Sequence, residues 1–495
     1  MTVNPRVNPK KLRPYDVPPK RRRTLIPSAP DSSAIGFIVV AALWLALSGA
    51  LGLLALGLRF IPFEFSFGLG IFNLAFQLDL RRVDYAFVNA AVYGWLSNAG
   101  FAAICFMAPR LTGRRLALEP FVFLGLLAWN SALLAGIASL YFFDLGPHAP
   151  LTAMNWLFDG GLAAGAALVA LSLVLTSLSS LRSSYVSLWF AGVAILSLLG
   201  LLSANALIGI LDWIIGLDDV LEGLASVFVQ RAMTTLWLLG MAYAVLHYVV
   251  PRAVLQPLAS RGVAILTFLT WLLLAPASAL AVLVDDSVPY LITSLGAAAT
   301  IALFVPAALA FGNLMMTMSG RWSVLFGTGA GALAAVSLVF LLATSLLEAI
   351  GALSDVQLYL GPTDWGAGVF IWSSFGAFTF AAFALSDHAV PRMLRRAWVE
   401  GMTSAAQLWL VFAGAAIAGL ALMGSGLAEG SLIATHTPPD EVRAALFTYR
   451  IVAFGAFGLV ALGGLAMLTN LFMIYTTAEP VEYVLPGQPA PAAGH

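Results

Sequence analysis

Long apolar runs separated by short polar stretches recur along the chain from residue 34 to residue 475. They fall at about 34–58, 84–108, 119–143, 153–178, 186–213, 224–250, 262–284, 290–317, 323–348, 364–390, 404–428 and 445–475. An apolar run of about 18 residues or more is long enough to cross the hydrocarbon core as a helix. In lipid every backbone N–H and C=O must be bonded internally, so runs this uniform predict helices and not barrel strands. The pattern predicts an all-α integral membrane protein with about twelve transmembrane helices.

Composition agrees: 61 % of residues are hydrophobic and 10 % charged, whereas a soluble domain carries about 25 % charged residues to wet its surface. Soluble function classes are excluded, and no nucleic-acid partner is expected. The zero net charge hides an asymmetry, because all three lysines (Lys10, Lys11, Lys20) lie near the N-terminus with Arg6, Arg13 and Arg21 to Arg23. That segment has no apolar core of its own, and the first run is too long for a cleaved signal, so it reads as a retained helix. The expected organisation is a basic, Pro-rich segment over 1–33, a transmembrane domain over 34–476 and a loose Pro-rich tail over 477–495. Arginines follow the even-numbered runs: Arg110, Arg114 and Arg115, then Arg182, Arg252 with Arg261, Arg321, and Arg392 with Arg395 and Arg396. After the odd-numbered runs they are almost missing, apart from Arg443 and the first connection with Arg59, Arg81 and Arg82. Positive loops stay cytoplasmic. Both termini are therefore expected on the cytoplasmic side of a bacterial inner membrane. The single cysteine, Cys105, rules out an internal disulfide and a cysteine-rich metal centre.

Four stretches carry a family resemblance. Arg81-Arg82-Val83 leads into Asn89-Ala-Ala-Val-Tyr-Gly-Trp at the second run. Tyr185-Val-Ser-Leu-Trp-Phe190 opens the fifth. Val229-Gln230-Arg231 lies early in the sixth, which ends His247-Tyr-Val-Val-Pro-Arg252. Thr363-Asp364-Trp365 opens the tenth, which ends His388-Ala-Val-Pro-Arg392. In order and spacing these resemble the twelve-helix subunit I of haem-copper oxidases, closest to the cbb3-type branch and its nitric oxide reductase relatives. The resemblance implies that family's helical bundle.

It also implies six intramembrane histidines, which ligate two haems and a copper, and here the chain departs. On the family pattern a low-spin haem ligand falls near Val88 in the second run, and the two haem ligands of the tenth run fall near Val369 and Ile371. The copper ligands fall near Arg231, Ala277 and Ser278. There are only five histidines. His148 and His436 fall in connections, His495 is the last residue, and His247 and His388 sit at run ends beside Pro251 and Pro391. A guanidinium is permanently protonated and cannot act as a neutral ligand, so Arg231 replaces metal charge with side-chain charge. Phe87, Tyr93, Trp95, Trp237, Trp271, Phe370, Trp372 and Phe378 are candidates to refill the vacated space. Charged groups in hydrocarbon default to functional hypotheses. Arg231 with Asp159, Asp212 and Asp364 is thus the candidate intramembrane polar site, with Glu222, Asp285 and Asp286 as further neutralising groups. Glu348 and Asp84 are expected at solvated helix ends.

The expected function is a redox-silent, subunit I-like integral subunit of a respiratory complex of cytochrome c oxidase type. It would act in assembly or docking and would not be catalytic by itself. Neither haem nor copper is expected in this chain, although a lipid or quinone could occupy the emptied cavity. A c-type cytochrome subunit or a genuine oxidase subunit is the expected partner. Two rival readings remain: an active oxidase or reductase with unusual ligands, and a transporter or ion channel reusing the cavity.

Overall fold

A computed structural model describes residues 29–61, 63–68, 75–178, 185–323, 329–361, 363–396, 398 and 401–477. Most of the basic N-terminal segment and nearly all of the Pro-rich tail lie outside the described residues.

Twelve helices are long and apolar enough to cross a membrane. They are α1 (Ser32–Leu58), α2 (Leu80–Thr112), α3 (Glu119–Ser139), α4 (Trp156–Ser177), α5 (Val186–Ile215) and α6 (Asp219–Ala253). The second half comprises α7 (Arg261–Val282), α8 (Tyr290–Met318), α9 (Gly329–Gly351), α10 (Trp365–Leu394), α11 (Met402–Ala434) and α12 (Pro439–Thr476). Local chemistry marks several starts. Asp79 accepts from the Arg82 amide at 2.9 Å, Ser260 from Val263 at 3.2 Å and Asp218 from Val220 at 2.9 Å, each satisfying an amide that the first turn leaves without a partner.

Helices α2, α6 and α10 form the centre. They are buried along 100 %, 83 % and 78 % of their most apolar stretch, against 33–50 % for the others. The remaining helices wrap them, with α12 beside α1 and α11, α4 beside α3 and α5, and α8 beside α7 and α9. Each central helix contains one π-helical turn: Ala90–Leu96, Met233–Leu238 and Trp372–Phe378. Widening the turn displaces backbone carbonyls, and nearby side chains bond them. Ser97 donates to the Val92 carbonyl at 2.8 Å, Thr235 to Arg231 at 3.1 Å and Thr379 to Ser374 at 2.7 Å. Each π turn ends thirteen residues before a proline, namely Pro109, Pro251 and Pro391. The central trio therefore repeats one design three times.

Buried indoles stitch these turns together. Trp95 donates to Thr379 at 2.8 Å, Trp237 to Ser97 at 2.8 Å and Trp271 to the Thr235 carbonyl at 2.9 Å. Between α1 and α2 the chain forms an antiparallel hairpin, β1 (Phe65–Gly68) with β2 (Ala75–Leu78), pairing Phe67 with Phe76. A reading of long apolar runs passes over this hairpin. Its signal is the alternation of Phe63, Phe65 and Phe67, the period-2 mark of a strand.

Candidate functional site

Two of the cavities among the central helices border the positions equated with metal ligands. The first, about 460 Å³, is bounded by α6, α9 and α10, with Arg231, Glu348, Val369 and Phe370 in its wall. The second, about 290 Å³, is bounded by α1, α2 and α10, with Val88, Phe87, Ile371 and Phe370 in its wall. Val88 and Ile371 thus face one space from opposite helices. Arg231 and Val369 do the same across the other. Ala277 and Ser278 on α7 are placed next to the Thr235 turn through Ala275, whose carbonyl accepts from Thr235 at 3.2 Å. Among the described residues neither appears in a cavity wall.

The residues at the ligand-equivalent positions of these walls do not fit haem or copper. Valine and isoleucine offer no lone pair, and no His, Met or Cys is in either wall among the described residues. Phenylalanines close the space beside Val88: Phe87 stacks on Phe375 at 5.9 Å and meets Phe370 and Phe457 edge-on at 5.9 and 5.5 Å. Trp95, Trp237 and Trp271 belong instead to the indole network of the core.

Arg231 pairs with Glu348 of α9 inside the larger cavity. The expected partners Asp159, Asp212 and Asp364 are elsewhere, and Glu348, one turn before the end of α9, is the carboxylate that pairs. The reason is geometric. Arg231 lies about three turns into α6, and α9 brings Glu348 alongside at the same depth. The side chains are 18 % and 28 % exposed, so the pair is largely withdrawn from solvent.

Asp364 belongs to a second cluster. Arg59 binds it at 2.7 Å and Asp84 at 2.9 Å, while Arg450 binds it at 2.8 Å and Glu429 at 3.4 Å. Ser425 adds a hydrogen bond to Asp364 at 2.9 Å. This network ties α1, α2, α11 and α12 to the start of α10, and Asp84 is consequently paired instead of solvated. Arg450 and Glu429 were missed in the sequence. The available signal was that Arg450 falls inside an apolar run and Glu429 directly at the end of another, where a charge demands a partner.

Asp159 and Asp212 line a third, smaller pocket of about 140 Å³ with Glu222 and His148. Asp159 accepts from Asn205 at 2.8 Å, Asp212 from the Leu217 amide at 2.9 Å, and Glu222 lies 3.2 Å from His148. Asp285 and Asp286 lie apart, in the connection after α7, where Ser287 bonds Asp285 at 2.6 Å. Arg82 binds Asp79 at 3.0 Å, Gln77 and the Leu140 and Phe143 carbonyls, and Arg81 binds Gly146 O at 2.6 Å. These arginines hold the α3–α4 connection. Beside them, burial with nearby Asp79 pushes the Tyr141 hydroxyl up to about 12.

The family model described as "Cytochrome C and Quinol oxidase polypeptide I" matches residues 32–477. The chain belongs to that family. A solved chain from a heme-copper terminal oxidase dimer superposes on this subunit I-like chain with a TM-score of 0.71. The match covers 91 % of this chain and 85 % of that one at 15 % identity, a likeness of fold. No curated protein matches the sequence. Among the described residues no group of three His, Cys, Asp or Glu side chains is placed to hold a metal ion.

Proposed function

We propose that this subunit I-like chain is redox-silent and serves a respiratory complex of cytochrome c oxidase type as a structural subunit, assembling or docking its partners. One observation carries the reading. The positions equated with metal ligands bring Val88, Ile371, Val369 and Arg231 to the cavity walls, and none of these can ligate iron or copper. An ion pair and a cluster of phenylalanines take the place of cofactor contacts. On this reading the chain is a pseudoenzyme related to the cbb3-type branch, set in the bacterial inner membrane with both termini cytoplasmic. It holds neither haem nor copper; a lipid or quinone is the remaining occupant of the larger cavity.

A fold shared with a chain from a terminal oxidase dimer supports membrane-subunit partners, for which a c-type cytochrome subunit or a genuine oxidase subunit is proposed. The experiment is purification under mild detergent, a visible spectrum, metal analysis, and identification of copurifying chains. The chain separated from partners should show no Soret band and no stoichiometric iron or copper, while the intact assembly brings down a haem-bearing subunit. A bis-ligated haem spectrum from the isolated chain would restore the reading of an active oxidase. Solute flux by the isolated chain in vesicles, without partners, would favour a transporter or channel.

A further inference from the structure

The pocket of about 140 Å³ lies between the α3–α4 connection and helices α4, α5 and α6, on the outer side under the expected orientation. Four carboxylates are in its wall, those of Asp144, Asp159, Asp212 and Glu222. No Lys or Arg is in that wall among the described residues. His148 serves Glu222, at 3.2 Å. Arg81 and Arg82, which hold the α3–α4 connection, bond Tyr85, Asp79, Gln77 and carbonyl oxygens, and none of these four carboxylates.

Two buried oxygens here have no donor. Asp159 is 1 % exposed; its Oδ2 accepts from Asn205 at 2.8 Å, and its Oδ1 accepts nothing. Asn205 is 9 % exposed and spends its amide nitrogen on that bond. Its own carbonyl oxygen accepts no bond among the described residues. One amide does not balance a carboxylate withdrawn from water. Asp212 adds a second carboxylate that meets an amide, that of Leu217 at 2.9 Å, and no cation among the described residues. The wall is thus rich in acceptors and short of positive charge.

Spacing decides which kind of cation suits it. No three of the described His, Cys, Asp or Glu side chains are placed to hold a metal ion, which draws oxygens in to about 2.0–2.6 Å. Charged N–H donors meet carboxylates at about 2.7–2.9 Å and point in several directions at once. A guanidinium carries five such donors and an ammonium three, and neither brings an acceptor to oppose the wall. Trp156 shares the wall, and indole is the ring that best receives a cation. At ~30 Å³ per water, a volume of about 140 Å³ admits a guanidinium. We propose that this pocket binds a guanidinium or ammonium group, carried by a basic side chain of a partner subunit or by a free amine. The site is independent of the redox reading, because it shares no wall residue with either central cavity.

The test uses the full chain in an uncharged detergent at low salt, with the unfolding midpoint read by tryptophan fluorescence. The probes are acetylarginine amide, its uncharged counterpart acetylcitrulline amide, and magnesium chloride. Acetylarginine amide should raise the midpoint and acetylcitrulline amide should not. Asp159→Asn with Asp212→Asn should weaken the arginine effect more than about tenfold, as expected when charge-assisted bonds are lost. Asp286→Asn, an exposed charge in the connection after α7, should leave it unchanged. The source of the group is read from a cysteine at Asp144, placed in a Cys105→Ala background and offered an impermeant maleimide. Labelling blocked in the intact assembly and open in the separated chain identifies a partner's side chain; labelling open in both identifies a free amine. The proposal is overturned if the citrulline probe acts as well as the arginine probe, if neither acts, or if magnesium protects and arginine amide does not. It is equally overturned if the double asparagine variant binds as tightly as wild type. Should that variant fail to fold, Asp212→Asn alone takes its place, since asparagine still accepts from the Leu217 amide, and binding undiminished by it overturns the proposal too.

Discussion

Replacing Arg231 by methionine removes the cation from a cavity pair that bridges α6 and α9. The Glu348 carboxylate would then face an enclosed wall with no cation bonded to it. Breaking a fully buried ion pair costs about 3–5 kcal/mol. Glu348 keeps 28 % of its side chain exposed, so part of its hydration survives and the figure must fall. Polar contacts between transmembrane helices average only about 0.6 kcal/mol with a maximum near ~1.7. Between these limits we expect a loss of about 1.5–2.5 kcal/mol for Arg231→Met. Glu348→Gln should lose slightly less, because Arg231 can bond the amide oxygen. The double variant should regain most of the deficit, with a coupling of about 1–2 kcal/mol across the cycle. The assay is equilibrium unfolding in mixed micelles, read by tryptophan fluorescence for the wild type, both single variants and the double. Additive single effects, with coupling below ~0.5 kcal/mol, would refute a structural pair. A stable double variant that no longer brings down its partners would show that the charges also serve assembly.

Further outcomes follow from other parts of the bundle. In a Cys105→Ala background, cysteines placed at His148 and at His436 should react with an impermeant maleimide added outside intact cells; protection of either reverses the orientation drawn from the arginines. Cys105 itself is 2 % exposed and should resist maleimide until denaturant opens the bundle, so rapid labelling of native protein would contradict its packing. Gly94→Ala places a methyl 2.6 Å from the Trp44 ring and should destabilise by about 1–3 kcal/mol, as overpacking does. The matched Gly192→Ala meets nothing within 4 Å and should be neutral or slightly stabilising in the same unfolding assay. Asp364→Asn strips a partner from both Arg59 and Arg450. It should destabilise more than Asp440→Asn, whose partner Arg443 is exposed.

The number and nature of the transmembrane helices were legible in the pattern of apolar runs. Crossing hydrocarbon imposes a length and a composition on each span separately, and both are written locally. The family was legible too, through short motifs at the starts and ends of the second, fifth, sixth and tenth helices. The identities of Val88, Val369, Ile371 and Arg231, the positions that the resemblance equates with metal ligands, could likewise be read without their neighbours.

Who pairs with whom was not legible. Arg231 and Glu348 are separated by 117 positions, and Arg59 and Asp364 by 305. Only the packing of α9 against α6, and of α1 against the start of α10, brings them together. Helical depth could be estimated along each span, but the azimuth of a side chain depends on how a helix is rotated against its neighbours. The three π turns of α2, α6 and α10 shift that azimuth part-way along each helix, so an estimate from a regular 3.6-residue period loses register at the centre of the bundle. Asp159, Asp212 and Asp364, grouped by depth alone, accordingly went to two different sites. The same packing brings the rings of Phe106, Tyr248 and His388, from three separate helices, into edge-to-face contact, a convergence that exists only once the helices are packed.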